Sequence, residues 1–280
     1  MLKASQKLMS ILKLENVSKS FTSNPVFAKA CPAASGEAAC GAWERSRRGY
    51  DGHGKNKLDV LRDVSFEFKS DESYAIIGVS GVGKSTLMHI LAGIDFPTSG
   101  QVYFGPGYTN QPSLKNYASK KATPGGDINK FNSAEKEIFF NKNIGLVFQE
   151  PYLIPELSVL ENVMLKGAIS GEKDNLTEKA FSLLKRVNLE NKAYENPLSL
   201  SGGQQQRVAI LRSIFNKPDF ILADEPTGNL DEIAAAQIRD LLLEYCNEFK
   251  IGLIVSSHDS LVANSMNVKL KLAEHKLVTI

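Results

Sequence analysis

The stretch Gly78–Thr86, GVSGVGKST, has the residue types and spacing of a phosphate-binding loop. Gly78, Gly81 and Gly83 let the backbone wrap closely around phosphate oxygens, with N–H groups around Ser80 and Val82 turned inward. Lys84 suits the β- and γ-phosphates of a nucleotide, Ser85 suits a Mg²⁺ ion, and Thr86 closes the motif. A second centre is the acid pair Asp224 and Glu225, which ends the apolar run Phe220–Ala223. One acid of such a pair can hold Mg²⁺ through water while its neighbour polarises an attacking water. Gln149 and His258 each follow an apolar run of their own. A third centre, Leu200–Gln204 (LSGGQ), is a Ser-Gly-Gly turn that opens a helix, where free backbone N–H groups favour an anion.

Taken one at a time, an acid pair, a glutamine or a histidine at a strand end is ordinary polar punctuation. Their common placing gives them weight. Ligands of parallel sheets gather beyond the C-terminal ends of the strands, and Gly78, Gln149, Asp224–Glu225 and His258 all stand there.

The elements that must hold these residues can be read from the apolar patterns. Tyr74–Ile77 is a short buried strand running into the glycine loop, and LMHILAG after it is a helix ending near Gly93. Val60–Phe68 alternates apolar and polar residues, as a half-buried strand does. Ile11–Val17, Gln101–Phe104, Ile144–Phe148, Phe220–Ala223 and Ile251–Ser256 are further strands, and Val268–Leu272 with Leu277–Ile280 form a pair around a turn. Asn132 with Glu135, and Ser158 with Glu161, have the spacing of helix starts. Ala180, Leu183, Leu184 and Val187 mark one face of a later helix, and another runs from about Asp231 to Phe249. The block 150–200 is helical and interrupts the strand-rich core, so a helical subdomain is expected there. Two stretches lack any period. Residues 22–57 include Cys31, Cys40, Trp43 and the basic Arg45, Arg47 and Arg48, and residues 105–126 are rich in Gly, Pro, Ser, Asn and Lys. Both are expected to be flexible insertions. The fold class is therefore α/β: a P-loop NTPase core with a mostly parallel sheet, an antiparallel β subdomain, and the inserted helical subdomain, all within 11–280.

Bulk properties narrow the choice. With 280 residues, 42% of them hydrophobic, the chain can build one large domain with a subdomain. A net charge of +2 gives no field suited to nucleic acid, so no nucleic-acid partner is expected. The three cysteines are odd in number and irregularly spaced, which fits a reducing cytosol better than a disulfide framework or a zinc site. No run of 18 or more apolar residues offers a membrane span, and MLKASQKLMS lacks the apolar centre of a secretion signal.

These motifs together resemble the nucleotide-binding subunit of an ABC transporter, over nearly the whole chain apart from the two loose stretches. Gly78–Thr86 matches the Walker A motif, Gln149 the Q-loop, and Leu200–Gln204 the ABC signature. Phe220–Glu225 matches Walker B with its catalytic glutamate, Asn229–Asp231 the D-loop, and His258 the switch histidine. The runs DEPTGNLD, NIGLVFQ and LIPELSVLENV resemble the branch that holds lipoprotein-releasing, macrolide-export and cell-division ATPases. The resemblance implies ATP and Mg²⁺ as ligands, with Ser85, Gln149 and Asp224 around the ion. It also implies a head-to-tail dimer, in which ATP lies between Walker A of one subunit and the signature of the other. By that similarity Ser201 and Gly203 contact the partner's nucleotide, Asp231 of the D-loop is a further nucleotide-binding residue, and Glu225 polarises water. His258 holds the γ-phosphate, and Gln149 senses Mg²⁺ and the membrane subunit. Phe21 takes the position that stacks on adenine, where tyrosine is commoner. The implied partners are integral membrane permease subunits, and the implied place is the cytoplasmic face of the inner membrane. Lipoprotein release is the expected process. A macrolide-type exporter and a cell-division ATPase that signals without transport are the alternatives the motifs leave open.

Overall fold

The computed structural model describes residues 9–23, 56–106, 125–172 and 174–280. The chain opens with a long antiparallel pair, β1 (Ser10–Ser23) and β2 (Asn56–Lys69), in which Leu12 faces Phe68, Leu14 faces Phe66 and Phe21 faces Leu58. Next come β3 (Ser73–Ile77), α1 (Lys84–Leu91), β4 (Ser99–Pro106) and the two-residue β5 (Gly126–Asp127). A short α2 (Ser133–Ile138) leads into β6 (Ile144–Val147). A helical block follows, made of α3 (Val159–Ile169), α4 (Leu176–Arg186) and then α5 (Gly202–Ile214). The core resumes with β7 (Phe220–Asp224), α6 (Glu232–Phe249), β8 (Gly252–Ser257), α7 (Ser260–Asn264), β9 (Val268–Ala273) and β10 (Lys276–Thr279).

Two sheets result. One is four-stranded in the order β2-β1-β4-β5, with antiparallel neighbours. The other is six-stranded in the order β10-β9-β3-β8-β7-β6, in which β9, β3, β8, β7 and β6 run parallel and β10 turns back along the edge. The parallel strands read as continuous apolar runs because both faces are covered. Tyr74, Ile76, Phe220, Leu222 and Ile254 pack on one side with α1 and the antiparallel sheet. Ala75, Ile221, Ala223, Leu253 and Val255 pack on the other side with the helical block and α6. Alternate residues of one strand thus feed two cores, and this fixes its register against its neighbours.

Local signals start the helices. Asn132 and Glu135 cap each other reciprocally at α2, as do Ser158 and Glu161 at α3. On α4 the buried residues are Ala180, Leu183 and Leu184, with Val187 at its C-terminal end also buried.

The two loose stretches are shorter than the sequence pattern suggests. Thr22, Ser23, Asn56 and Lys57 are strand residues, and so are Gly105, Pro106 and Gly126. Strand pairing here runs through backbone groups, so polar side chains do not end it. The remainder of the expected insertions, 24–55 and 107–124, lies outside the described residues, together with Cys31, Cys40, Trp43 and the arginine cluster. Among the described residues no helix is long and apolar enough to cross a membrane.

Candidate active site

The glycine loop leaves β3 at Ile77 and delivers Lys84 as the first residue of α1. Two of its glycines are required by the geometry. Gly83 has φ +112, and a Cβ there would lie 2.5 Å from Val60 Cγ1. A Cβ on Gly78 would meet the Leu272 carbonyl oxygen at 2.7 Å. No larger residue fits either place without moving its neighbour.

Lys84 is only 7% exposed. Its Nζ donates to the Gly78 carbonyl at 2.9 Å and lies 3.2 Å from Glu225 Oε1. Glu225 follows the last residue of β7 in a left-handed backbone conformation, φ +47, which costs a side-chain-bearing residue about 1–2 kcal/mol. Such strain persists where the surroundings hold it, and they do so here. The Glu225 N–H donates to Ser256, whose carbonyl oxygen and Oγ each lie 3.1 Å away. The Ser256 hydroxyl in turn donates to Asp224 Oδ1. The second Glu225 oxygen, Oε2, is 2.7 Å from His258 Nδ1. That contact turns Nδ1 to Glu225 and leaves Nε2 to face other groups. The Glu225 carboxylate therefore sits between an ammonium and an imidazole.

Gln149 follows β6 by two residues and donates its Nε2–H to Asn229 Oδ1 at 2.8 Å, and Asn229 donates to Glu150 Oε1 at 2.6 Å. This chain of bonds ties the segment after β6 to the turn after β7. It leaves the Gln149 side-chain carbonyl oxygen as an acceptor.

A cleft of about 450 Å³ gathers these residues, a size that suits a small-molecule ligand. Ser80, Gly81, Gly83, Lys84, Ser85, Thr86, Gln149, Glu225 and His258 supply its polar lining, and Phe21, Leu58 and Val60 its apolar lining. Of the other residues singled out in the sequence, Gly78 contributes its carbonyl to Lys84, and Val82 packs into the core beneath the loop. Asp224 stands behind the cleft on Ser256. Ser201 and Gly203 are outside the cleft lining, at the start of α5, where Ser201 and Gln204 form a reciprocal cap. Asp231 is also outside it and caps α6 by accepting from the Ala234 N–H at 2.8 Å. Leu58, Val60 and Ser256 are the residues that sequence reasoning missed. Leu58 becomes visible only through its pairing with Phe21 across β1 and β2, Val60 only through its place in the cleft, and Ser256 through the pairing of Asp224 with Ser256 across β7 and β8.

The donor set fits Mg²⁺. The Ser85 hydroxyl, the Gln149 carbonyl oxygen and the Asp224 carboxylate are hard oxygen donors. Among the described residues no group of three or more His, Cys, Asp or Glu side chains forms a metal cage. An ion held by these residues would need further ligands, which for Mg²⁺ are commonly phosphate and water.

The family model described as "ABC transporter" matches residues 61–228. The lipoprotein-releasing system ATP-binding protein LolD of Syntrophus aciditrophicus (strain SB) is 40% identical over 227 residues, covering 80% of this chain and 92% of its own length. LolD of Hydrogenovibrio crunogenus is 41% identical over 222 residues, covering 79% and 88%. Among solved structures, the dimeric post-hydrolysis state of the ATP-binding cassette MJ0796, bound to ADP and Pi, matches with a TM-score of 0.69. It is 30% identical and covers 95% of this chain and 96% of that one. The cbiO1 protein of Clostridium perfringens, part of the transporter complex cbiONQ, matches with a TM-score of 0.67 at 25% identity, covering 95% and 86%.

Proposed function

The chain belongs to the ABC transporter family, and from that premise we propose that it is an ATP-binding subunit that hydrolyses ATP in a head-to-tail dimer to drive a separate membrane permease. The observation that carries this reading is the single cleft in which the phosphate loop, Gln149, Glu225 and His258 meet. Its polar lining suits a triphosphate, with Lys84 as the cation and the loop N–H groups as the cradle. Phe21 and Leu58 suit the base.

Glu225 is the residue that polarises the attacking water, since its carboxylate is fixed on one side by Lys84 and on the other by His258. His258, with Nδ1 turned to Glu225, has Nε2 left to donate to phosphate oxygens. Ser85, Gln149 and Asp224 would hold Mg²⁺, whose charge offsets that of the phosphates. The place of Ser201 and Gly203, exposed or half-buried and outside the cleft, supports their action on a nucleotide held by another subunit. Asp231, at the start of the neighbouring α6, belongs to the same seam.

The process served is lipoprotein release, a reading supported by the two LolD relatives at about 40% identity over most of their length. The subunit works at the cytoplasmic face of the inner membrane, docked on permease subunits.

Glu225→Gln tests the whole reading. ATP binding should persist, turnover should fall about 100-fold or more, and an ATP-dependent dimer should accumulate on size-exclusion chromatography. In cells the same variant should trap lipoproteins in the inner-membrane fraction. Normal turnover by this variant would overturn the mechanism, and normal lipoprotein sorting would overturn the process.

A further inference from the structure

Lys19 stands beside the base end of the cleft without lining it. Its side chain is 11% exposed, and its Nζ donates to Asp95 Oδ1 and to the Phe96 carbonyl, each at 2.7 Å. The same nitrogen lies 4.9 Å from the centroid of the Phe21 ring, within the range of a cation–π contact. The Asp95–Phe96 segment is fastened to the end of α1, because the N–H groups of Ile94 and Asp95 both bond the His89 carbonyl, at 3.0 and 3.2 Å. One ammonium thus connects the aromatic ring at the cleft mouth to the helix that begins with Lys84.

Phe21 itself is 44% exposed, and no hydrogen bond can hold a phenyl ring. Its cross-strand partner Leu58 is 65% exposed, so packing on that side is thin. A tyrosine would have a hydroxyl to anchor, whereas a phenylalanine must be steadied by what lies against its face and edge. Lys19 is the charged group against it, and its own position is fixed by two acceptors.

We propose that Lys19 is a positioning residue for the nucleotide base: it holds the Phe21 ring in its stacking orientation and sets the distance from that ring to the phosphate-loop helix. The inference rests on the reading above that Phe21 stacks on the base.

The test uses the purified full chain, with ATP as substrate and inorganic tripolyphosphate, which has no base, as a competing ligand. Lys19→Met should raise the KM for ATP about threefold to tenfold while kcat is retained, the scale of one lost cation–π contact. The inhibition constant of tripolyphosphate should not move, because the phosphate contacts are elsewhere. Lys19→Arg should stay near wild type, since a guanidinium can both pair with Asp95 and lie over a ring. Asp95→Asn, which loosens the ammonium without removing it, should shift KM in the same direction by less. A parallel Phe21→Ala variant separates the two ways of failing. If Phe21→Ala raises KM and Lys19→Met does not, the positioning role is wrong and base stacking stands. If neither moves KM, the stacking reading falls and the positioning role with it. If Lys19→Met weakens ATP and tripolyphosphate together, Lys19 serves the α1 end as a whole and the proposal is overturned.

Discussion

Phe21, Leu58 and Val60 offer the cleft a ring and methyl groups, and none of the three carries a side-chain hydrogen-bonding group. The edges of adenine and guanine differ only in their donors and acceptors, so these side chains have nothing with which to tell them apart. Discrimination by apolar contact alone is worth about 1–3 kcal/mol at most. GTP should therefore be hydrolysed with kcat/KM within about a hundredfold of ATP, measured by phosphate release with each nucleotide in turn. A preference beyond a hundredfold would mean that a polar group reads the base edge. The phosphate end is the opposite case, because its charged and amide side chains are fixed by bonds to other groups. Lys84 is held by Gly78 and Glu225, Glu225 by His258 and Ser256, and Gln149 by Asn229. Affinity is thus expected to come from phosphate and selectivity to be weak.

At the scale of elements, the seam between the helical block and the parallel sheet holds a costly group. Lys166 on α3 donates to the carbonyls of Phe140 and Ile144, at 3.0 and 2.6 Å, with no carboxylate partner among the described residues. Burial, with the Arg212 charge adding to it, pushes its ammonium down to about 8 from the usual 10.5. Between those two values the unfolded chain still binds a proton that the folded chain has released, so this group makes stability rise with pH across that window. Below about pH 8 the ammonium is charged in both states and its full burial cost is present. Lys166→Met should flatten the rise, and thermal melts of variant and wild type between pH 8 and 10.5 would show it as a shrinking difference in Tm profile. Such seams explain what the sequence left hidden. The strand Phe220–Ala223 was legible because both of its faces are buried, and the starts of α2 and α3 were legible because Asn132–Glu135 and Ser158–Glu161 are local pairs. The ribbon formed by Ser20–Ser23 against Asn56–Asp59 was not, since its ladder is made by backbone groups and most of its residues are polar. Leu58 was lost with it. The bond Ser256 donates to Asp224 and the one it accepts from the Glu225 N–H depend on the register of β7 against β8, which is a long-range fact.

For the whole molecule, α5 is the element that joins the chain's own site to another. Its start presents Ser201 outside the cleft, while further along Gln206 donates to the Phe148 carbonyl at 2.9 Å, next to Gln149. Arg212 lower on the same helix donates to the carbonyls of Pro151 and Tyr152, both at 2.8 Å. One rigid helix of about 20 Å therefore grips the segment around the chain's own Gln149 and carries Ser201 to a different place. Head-to-tail pairing gives that separation a purpose, and mixing two dead variants tests it. Lys84→Ala should abolish nucleotide binding, and Ser201→Arg should bind ATP but not turn it over. In a mixed dimer both defects fall in one composite site, while the other site combines an intact Lys84 with an intact Ser201. Equal mixing should then restore about a quarter of the wild-type rate, since half the dimers are mixed and each has one sound site of two. If instead each chain used its own Ser201 on its own nucleotide, every site in the mixture would carry one defect, and the rate would stay at the level of the separate variants.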